Sequence, residues 1–411
     1  MGLRKYIFLL CSNFLLTLIG NSQTNPLFNV EFLGDTITIN YDQSPYYQLE
    51  SPLSEKNIQD FYSNVSSSGY EGMINTITSF KGEQKLDDWL FYQLVRRTAQ
   101  QICPKAKNYN CYTLYKWFLL TKAGYNAILR ISENKILFYI QSDEMIYNIP
   151  FCIINNKQFI CLNYHDYGNY IDFEKESFST VNLPVENANN AFSYKVTNLP
   201  EFNSNEYVEK DIAFNYSQEE NHFRIKVNPE VKKLFINYPV ADYGSHFNIP
   251  LSKQTYNSLI PALKDIVGRM NTKNGIDYLM HFTRYAFLYQ KDTDVFGHEK
   301  RLSPEETLLY DYSDCEDRAA LFFCLVKEIY NLPMIVLVYP HHVSIAIEFE
   351  KPVGQTIVYN GKKYSVCEPT PQRRDLPVGK QVASLKRQPY EIAYEYLPLN
   401  TMAGNFHQSK D

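Results

Sequence analysis

Three side chains in the last quarter of the chain are of the types that together attack a carbonyl group. Cys315 opens an apolar helical segment, His342 opens an alternating strand, and Glu368 follows a later strand. A thiol becomes a nucleophile when a base takes its proton, and an acceptor holds that base in the right tautomer. Each residue alone is a weak signal. Their order, on a helix and then a sheet, predicts a catalytic triad.

The segment that would position the thiol has the form of a helix start. Ser313-Asp-Cys-Glu316 fits the S-x-x-E capping box, with Ser313 as N-cap and Glu316 as its partner. Cys315 would then lie in the first turn, where free N–H groups and the helix dipole favour an anion and lower a thiol pKa. The helix is apolar on most sides, which is typical of a buried helix whose start opens into a cleft.

An antiparallel sheet would place the imidazole and the carboxylate. The pattern predicts four strands, at 334–339, 342–349, 356–359 and 362–367. Asn360-Gly361 is the strongest hairpin signal in the chain, and Pro369 forbids continuation of the last strand beyond Glu368. His341 is the rival base, because it would lie on the apolar face if the strand began one residue earlier. We favour His342.

Three stretches carry a resemblance to a known family: Asp314–Arg318 with its apolar helix, His342-Val343 at a strand start, and Lys362–Thr370. They resemble the transglutaminase-like superfamily, a branch of the papain-like cysteine fold, and look closest to its exported members from Bacteroidetes-type bacteria. The resemblance implies that Cys315 is the nucleophile, His342 the general base and Glu368 the orienting acid. The family usually has aspartate where Glu368 stands, which puts the geometry of the longer side chain in question.

The same order of elements occurs twice in the chain. Five short matches recur at shifts between 189 and 205 residues, including Ser51–Ser54 with Ile249–Ser252 and Thr38–Tyr41 with Leu234–Tyr238. We interpret them as an internal duplication, with chance agreement as the alternative. The expected fold class is therefore α+β, with two tandem papain-like/transglutaminase-like domains in each of which a helix packs on an antiparallel sheet.

The first copy lacks the residues of the triad. At a shift of 205, Asn110, Leu137 and Asn163 stand where the second copy has its cysteine, histidine and glutamate. We expect a degenerate first domain that serves packing or substrate binding.

The first 22 residues have the form of a secretory signal. Arg4 and Lys5 precede an apolar run at 6–19, and Gly20-Asn-Ser22 is a cleavage site. An uncleaved anchor is the alternative. We expect an exported protein, periplasmic or extracellular, with no stable membrane span. The expected units are a signal peptide at 1–22, a degenerate domain at 25–166, a linker or accessory strands at 167–220, a catalytic domain at 221–372 and a tail at 373–411.

Composition excludes other classes. The net charge is −5 and no basic block occurs, so we expect no nucleic-acid partner. Loss of Cys11 with the signal would leave seven cysteines, and export permits disulfides whose connectivity the sequence leaves open. No CxxC pair and no zinc-ligand spacing of histidines occurs, so we expect no metal and no cofactor.

These patterns favour an exported thiol-dependent enzyme that processes amides. It would be a peptidase or amidase, or an acyltransferase of transglutaminase-like type, acting on a peptide or protein through Cys315, His342 and Glu368. The alternative is a catalytically inactive binding or assembly protein of the same family. The sequence does not set the oligomeric state.

Overall fold

The chain folds as an α+β protein. The computed structural model describes residues 27–41, 46–50, 52–133, 135–168, 171–173 and 175–398. The expected signal at 1–22 and the end of the expected tail, at 399–411, lie outside these residues. Within the described ranges, no helix is long and apolar enough to cross a membrane.

The first half consists of a hairpin, four helices and a five-stranded sheet. Its helices are α1 (Glu55–Ser66), α2 (Glu71–Glu83), α3 (Asp88–Ile102) and α4 (Tyr109–Lys122). Its strands are β1 (Leu27–Phe32), β2 (Asp35–Asn40), β3 (Ala127–Ser132), β4 (Lys135–Gln141), β5 (Ile146–Tyr147), β6 (Phe151–Ile154), β7 (Lys157–Cys161) and β8 (Ser179–Thr180). The buried helix α4 packs on β3 and β4.

The second half follows the same plan, with more short helices before its sheet. Its helices are α5 (Glu230–Phe235), α6 (Tyr243–Phe247), α7 (Lys253–Val267), α8 (Thr272–Tyr285), α9 (Asp292–Val295), α10 (Pro304–Leu309) and α11 (Cys315–Tyr330). Its strands are β9 (Val208–Tyr216), β10 (Glu219–Val227), β11 (Val240–Ala241), β12 (Leu288–Tyr289), β13 (Tyr312–Ser313), β14 (Met334–Tyr339), β15 (His342–Glu348), β16 (Thr356–Tyr359), β17 (Lys362–Cys367) and β18 (Glu391–Tyr396). The buried helix α11 packs on β15.

The two large sheets have the same strand order. One runs β6-β7-β4-β3-β8 and the other β16-β17-β15-β14-β18, with antiparallel neighbours throughout. Even the hairpin turns agree. Asn155-Asn156 joins β6 to β7 and Asn360-Gly361 joins β16 to β17, all with positive φ, as a two-residue turn of this kind requires. The predicted hairpin at Asn360-Gly361 is confirmed.

The two halves are joined by packing and by hydrogen bonds. The indole N–H of Trp89 donates to the carbonyl oxygen of Leu234 at 2.9 Å, and β5 pairs with β11. The first hydrophobic core continues into α5 through Val231, Leu234 and Phe235. Matching Leu234–Tyr238 to the strand-like Thr38–Tyr41 is therefore wrong. The spacing of these apolar residues is helical, and it turns one face of α5 onto the first half.

Candidate active site

Cys315 is the first residue of α11, as expected, but Asp314 caps the helix. The Asp314 carboxylate accepts from the N–H of Glu316 at 2.9 Å and of Asp317 at 3.3 Å, and Asp317 accepts from the N–H of Asp314 at 3.1 Å. The predicted capping box of Ser313 and Glu316 is thus wrong by one residue. Ser313 is taken up in β13, which pairs with β12, so the next good capping residue begins the helix.

His342 and Glu368 meet directly. A two-residue turn ends β14 and puts His342 at the start of β15, where its Nε2 lies 2.8 Å from Oε2 of the buried Glu368. The other carboxylate oxygen accepts from the N–H of Thr370 at 3.0 Å. The extra methylene of glutamate therefore does not prevent contact with the imidazole. His341, the rival base, lies exposed in the turn.

Cys315 and His342 line one cavity of about 910 Å³, called the thiol cavity below. The thiol forms a hydrogen bond with the backbone of Val343, the residue after His342. The described contacts include no direct hydrogen bond between the thiol and the imidazole. Since Glu368 engages Nε2, only Nδ1 of His342 remains to take a proton.

The thiol is held in its protonated form. Burial, followed by the charges of Asp314, Glu316 and Glu368, raises the pKa of Cys315 to about 12, against the lowering effect of the Val343 backbone. The prediction that the helix start lowers the pKa of this thiol is therefore wrong for the protein without a substrate. Carboxylates surround the thiol and outweigh the dipole.

Glu316 forms part of the cavity wall. Its carboxylate accepts from Nε of Arg301 at 2.7 Å and from the hydroxyl of Tyr243 at 3.1 Å, while the guanidinium of Arg301 lies 4.1 Å from the centre of the Tyr243 ring. Sequence reasoning missed Tyr243 and the pairing of Arg301, because no local spacing signals contacts between residues so far apart in the chain.

Two buried arginines tie the helix of the thiol to the strand of the acid. Arg318 on α11 donates to the carbonyl oxygen of Arg284 at 2.6 Å and to two further carbonyls at 3.0 Å. Arg284 in turn donates to the carbonyl oxygen of Glu368 at 2.7 Å, to Asp375 at 2.6 Å and to the carbonyl oxygen of Leu376 at 2.7 Å. Both arginines thus fix backbone around the triad, and neither was predicted.

Three carboxylates in the thiol cavity lie close enough to share a cation. The oxygens of Asp292, Glu299 and Asp314 are within 4.8 Å of one another, a grouping that the spacing of these residues in the sequence does not predict. Burial and the charge of Asp314 raise the pKa of Asp292 to about 8, and burial and Glu316 raise that of Asp314 to about 6. At neutral pH, Asp292 therefore carries a proton, which weakens the attraction for a cation.

The corresponding helix start in the first half is filled by its own side chains. Asn108 caps α4, and Tyr109 is the first helical residue. The Tyr109 hydroxyl accepts from the Asn163 amide at 2.8 Å and donates to Asp166 at 3.0 Å, and Asp166 lies 3.7 Å from the buried ammonium of Lys116. Every polar group named here has a partner within the half.

The correspondence between the halves differs slightly from the expected shift of 205. The starts of α4 and α11 differ by 206 residues, and those of β4 and β15 by 207. Tyr109 and Lys135 therefore stand opposite Cys315 and His342, in place of Asn110 and Leu137. The cysteines that the structure describes are all free, at positions 103, 111, 152, 161, 315, 324 and 367.

No model of a protein family, no curated protein and no solved structure matches this chain. The geometry of the cavity is therefore the main support for any functional conclusion.

Proposed function

We propose that the protein is a thiol-dependent enzyme that cleaves or exchanges amide bonds, with Cys315 as nucleophile, His342 as base and Glu368 as the group that orients the base. The observation that carries it is the 2.8 Å contact between His342 and Glu368, beside a thiol in the same cavity. The basic and apolar start of the chain supports export to the periplasm or beyond.

The chemistry follows from which nitrogen is free. Nδ1 of His342 takes the proton of the thiol as the sulfur attacks the carbonyl carbon, because the pKa of Cys315 leaves no standing thiolate. The C–N bond then breaks, the imidazolium gives its proton to the leaving amine, and a thioester remains. Water or a second amine attacks the thioester, gives its proton to His342 and releases the thiol. Water as acceptor gives hydrolysis, whereas an amine gives transamidation.

The helix start supplies part of the oxyanion stabilisation. The N–H of Cys315, as first residue of α11, has no acceptor within the helix, and the dipole of the helix favours negative charge there. A donor at this place stabilises the oxygen of the tetrahedral intermediate.

We further propose that the chain contains two tandem transglutaminase-like domains and that the first is degenerate. The common strand order of the two sheets and the common placement of α4 and α11 support the duplication. The first domain has Tyr109 where the second has Cys315, so it contributes no second nucleophile.

The test measures both outcomes of the thioester. Purified full-length chain is incubated with casein, with and without a fluorescent primary amine, and new amino groups and incorporated amine are counted. Cys315→Ala should lower either product by about 10³-fold or more. Cys324→Ala, which removes a buried thiol from the same helix, should not.

An inactive binding protein is the second candidate, favoured by the raised pKa of Cys315. Equal product from the wild-type chain and Cys315→Ala, with His342-independent alkylation of the thiol, would favour it over the enzyme.

A further inference from the structure

A second cavity of about 520 Å³ lies between the two halves of the chain and adjoins the thiol cavity. We infer that this aromatic cavity binds an aromatic or large apolar side chain of the polypeptide whose amide Cys315 attacks, an inference that rests on the proposed function. Its volume lies within the range of about 300–1,000 Å³ that is typical of ligand sites.

The two cavities are adjacent. Tyr147, Asn148, Val240 and Glu299 line both. Tyr147 pairs with Val240 where β5 of the first half meets β11 of the second. In the inferred complex, a single extended ligand lies across this strand pair, with one group beside the thiol and another in the aromatic cavity.

The walls of the aromatic cavity present ring faces. Trp89 stacks on Tyr194 with ring centres 6.0 Å apart and meets Tyr238 edge-on at 5.2 Å. The indole N–H of Trp89 is used by Leu234, and the hydroxyl of Tyr238 donates to the carbonyl oxygen of Tyr194 at 2.7 Å. Trp89 and Tyr194 are each only 1% exposed, so the half-buried ring of Tyr238 is the part of this cluster that a ligand can contact.

The opening of the cavity is also apolar. Ile236 is 59% exposed and Tyr147 is 43% exposed, and both line the cavity. Lys300, the one lysine of the lining, is buried and pairs with Glu306 at 2.7 Å. It is therefore not available to a ligand anion.

Charge separates the two cavities. Six carboxylates line the thiol cavity, and one of them, Glu299, also lines the aromatic cavity: Asp242, Asp292, Glu299, Asp314, Glu316 and Glu391. An apolar side chain that packs beside charged groups removes water from them, and this desolvation costs free energy. The aromatic cavity is thus the better place for it.

The experiment uses Trp89 as its own reporter. The chain has two tryptophans, so Trp117→Phe leaves Trp89 alone. This variant is titrated with acetyl-Ala-Phe-Ala-amide and acetyl-Ala-Ala-Ala-amide. We expect a saturable change in fluorescence with the first peptide and at least about tenfold weaker binding of the second, since burial of the phenyl ring favours the complex. The phenylalanine peptide should also protect Cys315 of the wild-type chain from iodoacetamide.

Two isoleucines provide a matched pair of variants. Ile236 and Ile153 are both 59% exposed, but only Ile236 lines the cavity. Ile236→Asp should weaken the protection by about tenfold, and Ile153→Asp should leave it unchanged.

Equal affinity for the two peptides, or equal protection in the two aspartate variants, would overturn the inference. Binding beside Trp89 without protection of Cys315 would overturn the link between the cavities. Failure of the triad is a separate result, because the fluorescence titration does not depend on His342, whereas the rate of Cys315 alkylation does.

Discussion

Helices α4 and α11 pack on two sheets of the same strand order, yet only the start of α11 lies beside a histidine paired with a carboxylate. In the first half, Tyr109 fills the position and its hydroxyl is bonded on both sides. In the second half, a smaller Cys315 leaves a cavity, and the histidine and glutamate come from the sheet behind it. This difference indicates that the fold sets the position of the helix start. The size and hydrogen-bond partners of its first side chain determine whether a cavity lies beside it.

The two sites also treat buried charge in opposite ways. The first half encloses a positive group, Lys116, beside Asp166. The second buries its thiol beside carboxylates, and burial together with their charges raises the pKa of Cys315. Each half can be tested by one substitution, of His342 in the second half and of Lys116 in the first.

The largest expected effect is on the thiol of the second half. His342→Ala should slow alkylation of Cys315 by iodoacetamide at pH 7.5 by about 10²-fold, because the imidazole is the group that takes the proton. The rate is followed by mass mapping of the peptide that carries Cys315. His341→Ala serves as control, since His341 is exposed in the turn and should leave the rate within about twofold of wild type. The reverse ranking of the two variants would identify His341 as the base.

The next effect concerns the charge buried in the first half. Burial lowers the pKa of Lys116 to about 7, although the charge of Asp166 opposes the shift. At this site the unfolded chain therefore binds more protons above pH 7, so Lys116 should contribute a rise of about 1–2 kcal/mol in the free energy of unfolding between pH 7 and 9, against the opposing contribution of Asp292, which loses a proton from the folded chain over the same range. Urea denaturation at both pH values measures the rise.

Lys116→Met should remove this contribution, so that its free energy of unfolding falls between pH 7 and 9 relative to wild type, while Lys122→Met, on the same helix but half-buried, should behave as wild type. A rise that survives in Lys116→Met would place its origin elsewhere in the chain.

The smallest effect addresses the departure from the aspartate of the resembled family. Glu368→Asp shortens the side chain that reaches Nε2 of His342, and it should slow alkylation of Cys315 about fivefold through loss of roughly 1 kcal/mol of hydrogen bonding. Glu348→Asp, on the same sheet, is the control. Alkylation that is faster in Glu368→Asp would show that the glutamate is a defect of the site.

Local patterns could predict the elements that carry Cys315, His342 and Glu368. The Asn360-Gly361 turn, the buried helix and the strand starts follow from residues that are neighbours in sequence. The cap at Asp314 could not be chosen over Ser313, because pairing of Ser313 in β13 depends on β12. Likewise, the contact of Arg284 with Glu368 joins residues 84 positions apart.

The thiol pKa was beyond sequence reasoning for the same reason. A cysteine at a helix start predicts an activated thiol, but burial and the charge of Glu368 act on it only in the folded chain. Burial of the site, which residue spacing does not reveal, then determines that the pKa of Cys315 is raised and not lowered.

The bonds of Arg284 to Asp375 and Leu376 have a consequence for when the site forms during synthesis. These partners, and β18 at the edge of the second sheet, are among the last described residues to leave the ribosome. The nucleophile emerges some sixty residues before Asp375, and until then the arginine that secures Glu368 lacks two of its anchors. The backbone around Glu368 is therefore secured late in synthesis, well after Cys315 and His342 have left the ribosome.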